Sequence, residues 1–364
     1  MGEPLGVCII VVNYNNDQFL AAAIDSALAQ EHPFREVIVV DDCSTDDSRT
    51  VIARYGDRVR SVLRETNGGQ TAALNSAWPL ARYPILMFLD SDDLLLPHAA
   101  ATVAARWTTA IAKIQFPLMT IDKAGRQLDH VAPKYPPNLE TATLRRELLS
   151  TGGSPNSPAS GNAYARSLLE NIERDGGFEL ENSREHWMDA ILECNAPFYG
   201  EVVTLYEPLA CYRVHGGNLY AVNSVNDVHF KTLLHTFEIK LNYFARRCQA
   251  WGIPFNLATV RAHSPWALEC ELILAKLTSR NRTEQGHIFS ELYLIIKYYI
   301  WGAMPLGQRI LRTGWILGVF VSPKPLARQL IAFRFVAGQR PAWFRRLLRA
   351  RKSLARRLVV PRNS

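Results

Sequence analysis

Apolar and polar residues fall in blocks along the first ninety positions. VCIIVV at 7–12 is an unbroken apolar run, the pattern of a strand buried on both faces. Phe19, Leu20, Ile24, Ala27 and Leu28 follow at helical spacing, with Asp17 as the cap. EVIVVDD at 36–42 repeats the buried-strand pattern, and STDDS at 44–48 opens the next helix. VRSVLR (59–64) predicts a third strand, NGGQTAALNSAWPLA a glycine turn running into a helix, and PILMFLD (84–90) a fourth strand. Strand and helix alternating at such short intervals predict an α/β fold: a mostly parallel sheet with helices on both faces.

Beyond Ile121 the pattern loosens. Residues 122–160 are expected as loop with one short helix at 141–150, followed by helices over 162–172 and 184–195. VVTLYEP and ACYRV predict strands on either side of a turn at Pro208. From Asn226 the periodicity is helical, which places a boundary near 222 and divides the chain into 1–222 and a helical region, 223–364.

Composition adds two things. With 364 residues, 48% of them hydrophobic, the chain can bury a large core, and 21% charge does not suggest disorder. The net charge of +7 hides a strong asymmetry. Residues 1–291 hold 26 basic against 34 acidic residues, whereas 15 basic and no acidic residues follow Glu291. Two regions with different tasks are the simplest account. MGEPLGVCII lacks the basic start of a secretory signal, Gly6 stands where a myristoylation motif needs Ser or Thr, and the six cysteines form no CxxC pair. The expectation is a cytoplasmic protein with reduced thiols.

Ligands of an open parallel sheet bind at the carboxyl ends of its strands. The polar clusters fall there: 13–15, Asp41 and Asp42, 67–70, and 90–93. Carboxylates gathered at one edge repel one another unless a cation balances them, and a divalent metal holding a diphosphate would do so. Asp41 also suits a strand-end cap, and Asp46 or Asp47 a helix start.

Taken in order, VVNYN, VDDCSTDDS, NGGQTAALN and FLDSDD resemble the family-2 glycosyltransferases of the GT-A fold, over roughly residues 5–218. The resemblance implies a Rossmann-like catalytic domain and a nucleotide-sugar donor. Tyr14 and Asn15 would line the base pocket, and Asp42 would accept from the imide of uracil or its equivalent. Asn67, Gly69, Gln70 and Asn75 would line the nucleoside and donor sugar. Asp90, Ser91 and Asp92 would form the DxD motif for ribose, diphosphate and Mn²⁺ or Mg²⁺, with Asp92 the direct metal ligand.

Such enzymes generally take their base from an acidic pair on a later helix. In GGFELENSREHWMDAILECNAPFYG that pair is altered, and Glu185, His186 and Asp189 stand at helical spacing. Asp189 is expected as the base and Glu185 as the second candidate, sharing a face. In ACYRVHGGN, Arg213 would clamp a phosphate, and His215 would complete the metal shell or contact the diphosphate. One base without a separate nucleophile implies inversion at the anomeric carbon. The loop SPNSPASGN would lie on the acceptor side, towards a glycan, polysaccharide or lipid-linked hydroxyl.

The apolar runs LYLIIKYYIW and GWILGVFV are too short to span a bilayer, which takes ~20 apolar residues. Interleaved Arg, Trp, Tyr and Phe, continued by FRRLLRARKSLARRLVV at 344–360, instead suit an anionic membrane surface at the inner face of the plasma membrane. A helical subdomain with a solvated basic face is the alternative, and nucleic acid is not the expected partner. Two other functions stay open: an inactive nucleotide-sugar-binding scaffold, because of the altered acidic pair, and a sugar nucleotidyltransferase. The second is disfavoured because VVNYNNDQF lacks a glycine-rich basic loop.

Overall fold

The computed structural model describes residues 5–178, 188–215, 225–278, 285–301 and 306–335. They group into two compact units, one of Met1–Val214 with Thr236–Ser264, the other of His215–His235 with Pro265–Ser364. The first division falls close to the expected boundary near 222, but Thr236–Ser264 return to the first unit.

The first unit is built on a seven-stranded sheet. Its strands are β1 (Val7–Asn13), β2 (Arg35–Asp41), β3 (Arg60–Leu63), β4 (Ile85–Asp90), β6 (Ile111–Gln115), β9 (Asn162–Ala165) and β10 (Glu201–Thr204), in the order β10-β6-β9-β4-β1-β2-β3. β1 runs parallel to β2 and β4, β2 to β3, and β6 to β10. Only β9 runs against its neighbours, β4 and β6. A smaller sheet joins β5 (Leu94–Leu95), β11 (Ala210–Arg213), β7 (Leu118–Ile121) and β8 (Gln127–Ala132), in that order.

Side chains of a strand point alternately to opposite faces, and here both faces are buried. From β1, Cys8 and Ile10 pack on one face, with Ile38, Val40, Leu86 and Phe88. Val7, Ile9 and Val11 pack on the other, with Val37, Val39, Ile85, Met87 and Leu89. Helices α1 (Asp17–Leu28), α2 (Ser48–Ala53) and α4 (Ala99–Arg106) cover the second face through Leu20, Ile24, Ile52 and Val103. The first face is covered by α3 (Gly69–Ala77), α5 (Thr141–Thr151), α6 (Arg166–Arg174), α7 (Met188–Tyr199) and the later part of α8 (Asp227–Ala250), and α9 (Leu257–His263) follows in the same unit. The unbroken apolar runs of the sequence are thus strands covered on both sides.

Two segments differ from expectation. Asn162–Ala165 is strand rather than helix: four residues are too few to display a period, and α6 begins only at Arg166. The stretch expected as loop contains β8, which pairs antiparallel with β7. The strands expected on either side of Pro208 are present as β10 and β11, which belong to different sheets.

The second unit is helical. It contains the start of α8, then α10 (Pro265–Thr278), α11 (Gln285–Trp301), α12 (Leu306–Val321) and α13 (Lys324–Phe335). Leu272, Ile273, Ile295, Tyr299, Ile316, Val319 and Ile331 form its core.

Candidate active site

The site is assembled where β1, β2 and β4 end. Asn13 Nδ2 donates to Asp41 Oδ1 (2.8 Å), both buried, and Asp41 also accepts from Ser44 N (3.0 Å) and Arg49 Nε (3.1 Å). Asp41 therefore ties strand ends to the following loop, as its capping reading expects. Asn15, at φ 51°, spends its side chain likewise, since Oδ1 accepts from Thr45 N (2.7 Å). Asp46 accepts from Asp17 N and Ser48 N, so one carboxylate caps the starts of α1 and α2 together. Tyr14, the residue after β1, is 49% exposed.

Asp42 is buried and its oxygens are engaged. Oδ1 accepts from Arg64 Nε (2.7 Å) and Gly68 N (3.0 Å), and Oδ2 from Gly69 N (2.6 Å). It thus anchors the turn that starts α3, just after Asn67. That turn demands glycine twice. A Cβ on Gly68 would lie 2.6 Å from Ala72 Cβ and 2.7 Å from an Arg64 guanidinium nitrogen, and Gly69 has φ 82°. From the start of α3, Gln70 Nε2 donates to Asp90 Oδ1 (3.0 Å). Asn75 Oδ1 accepts from Trp78 Nε1 (3.2 Å). Gln70 Oε1 and Asn75 Nδ2 are buried without a hydrogen-bond partner.

The Asp90–Asp93 turn is held from several sides. Asp90 N donates to Ser160 Oγ (3.0 Å), Ser91 N to Val12 O (3.0 Å), and Asn16 Nδ2 to Ser91 Oγ (3.2 Å). Burial, the Asp92 charge and the Asp189 charge push Asp90 up to about 7, while Gln70 opposes them. Asp93 is driven well above the carboxylate range by burial and by Asp92 and Asp90. A divalent cation suits this group, because it supplies the positive charge these carboxylates lack.

Arg213 differs from expectation. Its Nε donates to Asp92 O (2.7 Å), one terminal nitrogen to Lys123 O (3.1 Å) and Asp122 O (3.4 Å), and the guanidinium lies 4.9 Å from the Phe19 ring centroid. Its backbone N donates to Asp93 Oδ1 (2.9 Å). Only 4% exposed, Arg213 braces the carboxylate turn through Nε and one terminal nitrogen, both donating to backbone carbonyls. Ser91 is similarly a brace, with its hydroxyl taken by Asn16. His215 falls in the second unit, and among the described residues no three potential metal ligands cluster.

Asp189 is the second residue of α7, and its Oδ1 accepts from Ala190 N (2.8 Å). Burial and the Glu193 charge raise its pKa, opposed by the Ala190 amide, Lys240 and Lys113. Glu185 and His186, expected beside it, lie outside the described residues. Three charged groups near Asp189 were not anticipated: Glu193, Lys240 and Lys113. Two carried a signal in the sequence. Lys113 interrupts a strand whose five residues are all buried, and Glu193 stands one helical turn from Asp189.

Comparison with known proteins agrees with this architecture. Residues 8–172 match the family described as glycosyl transferase family 2. An uncharacterized glycosyltransferase of Nostoc sp. is 29% identical over 282 residues, covering 72% of this chain and 84% of that protein. A putative teichuronic acid biosynthesis glycosyltransferase of Bacillus subtilis and a succinoglycan biosynthesis protein of Rhizobium meliloti match over shorter stretches, only 37% and 31% of their own lengths. Among solved structures, residues 1–349 of Staphylococcus aureus TarS in complex with UDP-GlcNAc superimpose with TM-score 0.53 at 16% identity, covering 91% of this chain and 92% of that one. The mannosyltransferase PcManGT of Pyrobaculum calidifontis, in complex with GDP-Man and Mn²⁺, gives 0.50 at 17% identity over 93% and 86%. At such identities the structural likeness speaks for the fold.

Proposed function

The chain is a glycosyltransferase with a family-2 domain over residues 8–172, and on that premise we propose an inverting transfer from a nucleoside diphosphate sugar, a UDP-sugar first, to a hydroxyl of a glycan, polysaccharide or lipid-linked acceptor. The observation that carries the reading is the meeting of two sets of carboxylates at one sheet edge. Asp90 ends β4, Asp92 lies in the turn after it, and Asp189 on α7 is near enough for its charge to raise the pKa of Asp90.

Asp92 and Asp90 would hold Mn²⁺ or Mg²⁺, which when bound stabilises charge growing on the departing diphosphate. The chain's own groups do the rest. Asp189 takes the acceptor proton, and its raised pKa strengthens it as a base. Gly68 and Gly69 hold the turn after β3 in shape, Gly68 because Ala72 and Arg64 fill the space of a side chain and Gly69 through its positive φ. Gln70 Oε1 and Asn75 Nδ2, buried and unpartnered, are available to donor hydroxyls. Tyr14 offers an exposed ring for the base, and Asp42 reaches the base only by exchanging one of its present donors. Arg213 keeps the metal-binding turn in shape. The nucleotide sugars bound by TarS and PcManGT, and the Mn²⁺ of the latter, support this donor class and metal.

Attachment to an anionic membrane at the cytoplasmic face belongs to the same reading. Among the described residues no helix is long and apolar enough to cross a bilayer. On α12, Leu306, Ile310, Leu317 and Val321 are exposed and recur on one stripe, opposite Ile316 and Val319, which are buried. Arg309, Arg312, Lys324 and Arg328 lie on this helix and the next, and no acidic residue follows Glu291. Apolar side chains rimmed by cations are what anionic headgroups bind.

The test is donor binding and slow hydrolysis across UDP-, GDP- and dTDP-sugars with Mn²⁺ or Mg²⁺. Asp92→Ala is expected to abolish metal-dependent donor binding, and Asp189→Ala to spare binding while removing turnover. Failure of every donor to bind with either metal would refute the proposal.

A further inference from the structure

Asp90, the carboxylate that ends β4, is held from outside its own turn. Among the described residues one side chain donates to it: Gln70 Nε2, at 3.0 Å from Oδ1, from a position 20 residues earlier. Gln70 Oε1 is buried without a partner, so the bond to Asp90 is the polar contact this amide makes. A side chain placed for packing alone would not bury an amide half satisfied.

The turn before Gln70 aims it. Gly68 N and Gly69 N donate to the Asp42 carboxylate at 3.0 and 2.6 Å, and Gln70 follows as the second residue of α3. This turn has no slack. Asp42 is buried and also accepts from Arg64 Nε (2.7 Å), while Arg64 donates to Ala72 O (3.0 Å) in the first turn of α3. One carboxylate therefore fixes the backbone on which Gln70 stands and, through Arg64, the start of its helix.

Asp42 does not reach Asp90 itself. The strands run in the order β4-β1-β2, so β1 keeps the two strand ends two sheet spacings apart, roughly 9–10 Å. Gln70 closes that gap, starting from the turn that Asp42 anchors and ending on the carboxylate of β4.

We propose that Gln70 is a positioning residue for the metal site: anchored by Asp42 through the Gly68–Gly69 turn, it holds Asp90 in the orientation that receives Mn²⁺ or Mg²⁺. The inference rests on the reading of Asp90 and Asp92 as metal ligands. Nε2 carries this task, which is separate from any contact of Oε1 with a donor hydroxyl. An outer hydrogen bond to a ligating carboxylate is generally worth about 10–100-fold in metal affinity.

The experiment uses the full chain and two affinities: Mn²⁺ alone, from the EPR signal of the free ion, and UDP with and without Mn²⁺, by calorimetry. UDP lacks the sugar, so a bond from Gln70 Oε1 to a sugar hydroxyl drops out. Gln70→Met keeps the size and helix propensity of the side chain and removes its donor. It should raise the Mn²⁺ Kd about tenfold, weaken UDP with Mn²⁺ by a similar factor, and leave UDP binding without metal unchanged. An unchanged Mn²⁺ Kd overturns the inference. So does an equal loss of UDP with and without metal, which is what a direct nucleotide contact or a loosened fold gives. Asp42→Asn should weaken Mn²⁺ too, and the double variant no further than the worse single one, because the two act in series. Additive losses overturn the link from Asp42; should Asp42→Asn not fold, Gln70→Met decides alone. Asp90→Asn separates the two readings. A wild type that binds no Mn²⁺, or an Asp90→Asn that binds it equally well, refutes the metal site itself. Loss in Asp90→Asn with none in Gln70→Met refutes only the role of Gln70.

Discussion

Replacing Arg213 by methionine separates a brace from a phosphate clamp. The guanidinium makes two well-formed bonds, to Asp92 O at 2.7 Å and Lys123 O at 3.1 Å, and a longer one to Asp122 O at 3.4 Å. A hydrogen bond from a charged donor contributes about 1.5–3 kcal/mol net, so two at the low end give about 3 kcal/mol. The contact with Phe19 adds roughly 0.5–1 kcal/mol, part of which methionine restores by packing. For a unit of this size each kcal/mol lowers Tm by roughly 2–4 °C, which puts the expected fall at roughly 6–12 °C. Thermal melting is measured beside Mn²⁺ activation and donor affinity. A brace predicts lower Tm and weaker metal activation, because the Asp92–Asp93 turn loosens. A phosphate clamp predicts weaker donor binding at an unchanged Tm. A variant as stable as wild type would refute the reasoning.

Two other outcomes follow from charge and exposure. Asp90 is raised to about 7 in the folded protein, so between about 4 and about 7 the folded state holds a proton that the unfolded chain gives up. That contribution to stability is present at low pH and is lost as pH rises to about 7. Metal-free melting temperatures should therefore fall from pH 5.5 to 8, and Mn²⁺ should raise Tm more at pH 8, as a titration series would measure. Changing Leu306, Ile310, Leu317 and Val321 together to serine should abolish co-sedimentation with anionic vesicles without lowering Tm, because these side chains face outward. Unchanged co-sedimentation would remove α12 from the membrane reading.

The donor half of the first unit was legible because β1, β2 and β4 are covered on both faces, whereas β3 at the sheet edge is largely exposed. The apolar cores of the stretches at 7–12, 36–42 and 84–90, VCIIVV, VIVV and ILMFL, are unbroken, and they recur in β1, β2 and β4. The half after Ile121 was less so. β9 has four residues, and β8 lies in a small sheet of short strands, so neither displays enough repeats to declare its period. Site chemistry divided similarly. Asp90 and Asp92 were readable as carboxylates at the end of a strand, and Asp189 as one on a helix. That Arg213 points its donors at carbonyls 90 and 121 residues away could not be read from a tetrapeptide. Lys113 was visible as a lysine in an apolar strand, but the groups around it come from α7, β9 and the 153–158 loop, which only the folded chain assembles.

The one reversed strand of the main sheet has a consequence for synthesis. β9 lies between β4 and β6 and is the last of the three to leave the ribosome. No nascent chain shorter than 162 residues can join the donor half of the sheet to the strand that carries Lys113. Until then Ile85, Leu86 and Met87 present an open apolar edge, for roughly 4–15 s at ordinary elongation rates. The keystone arrives after both sides of the arch, and a chain stalled before it has two edges to protect.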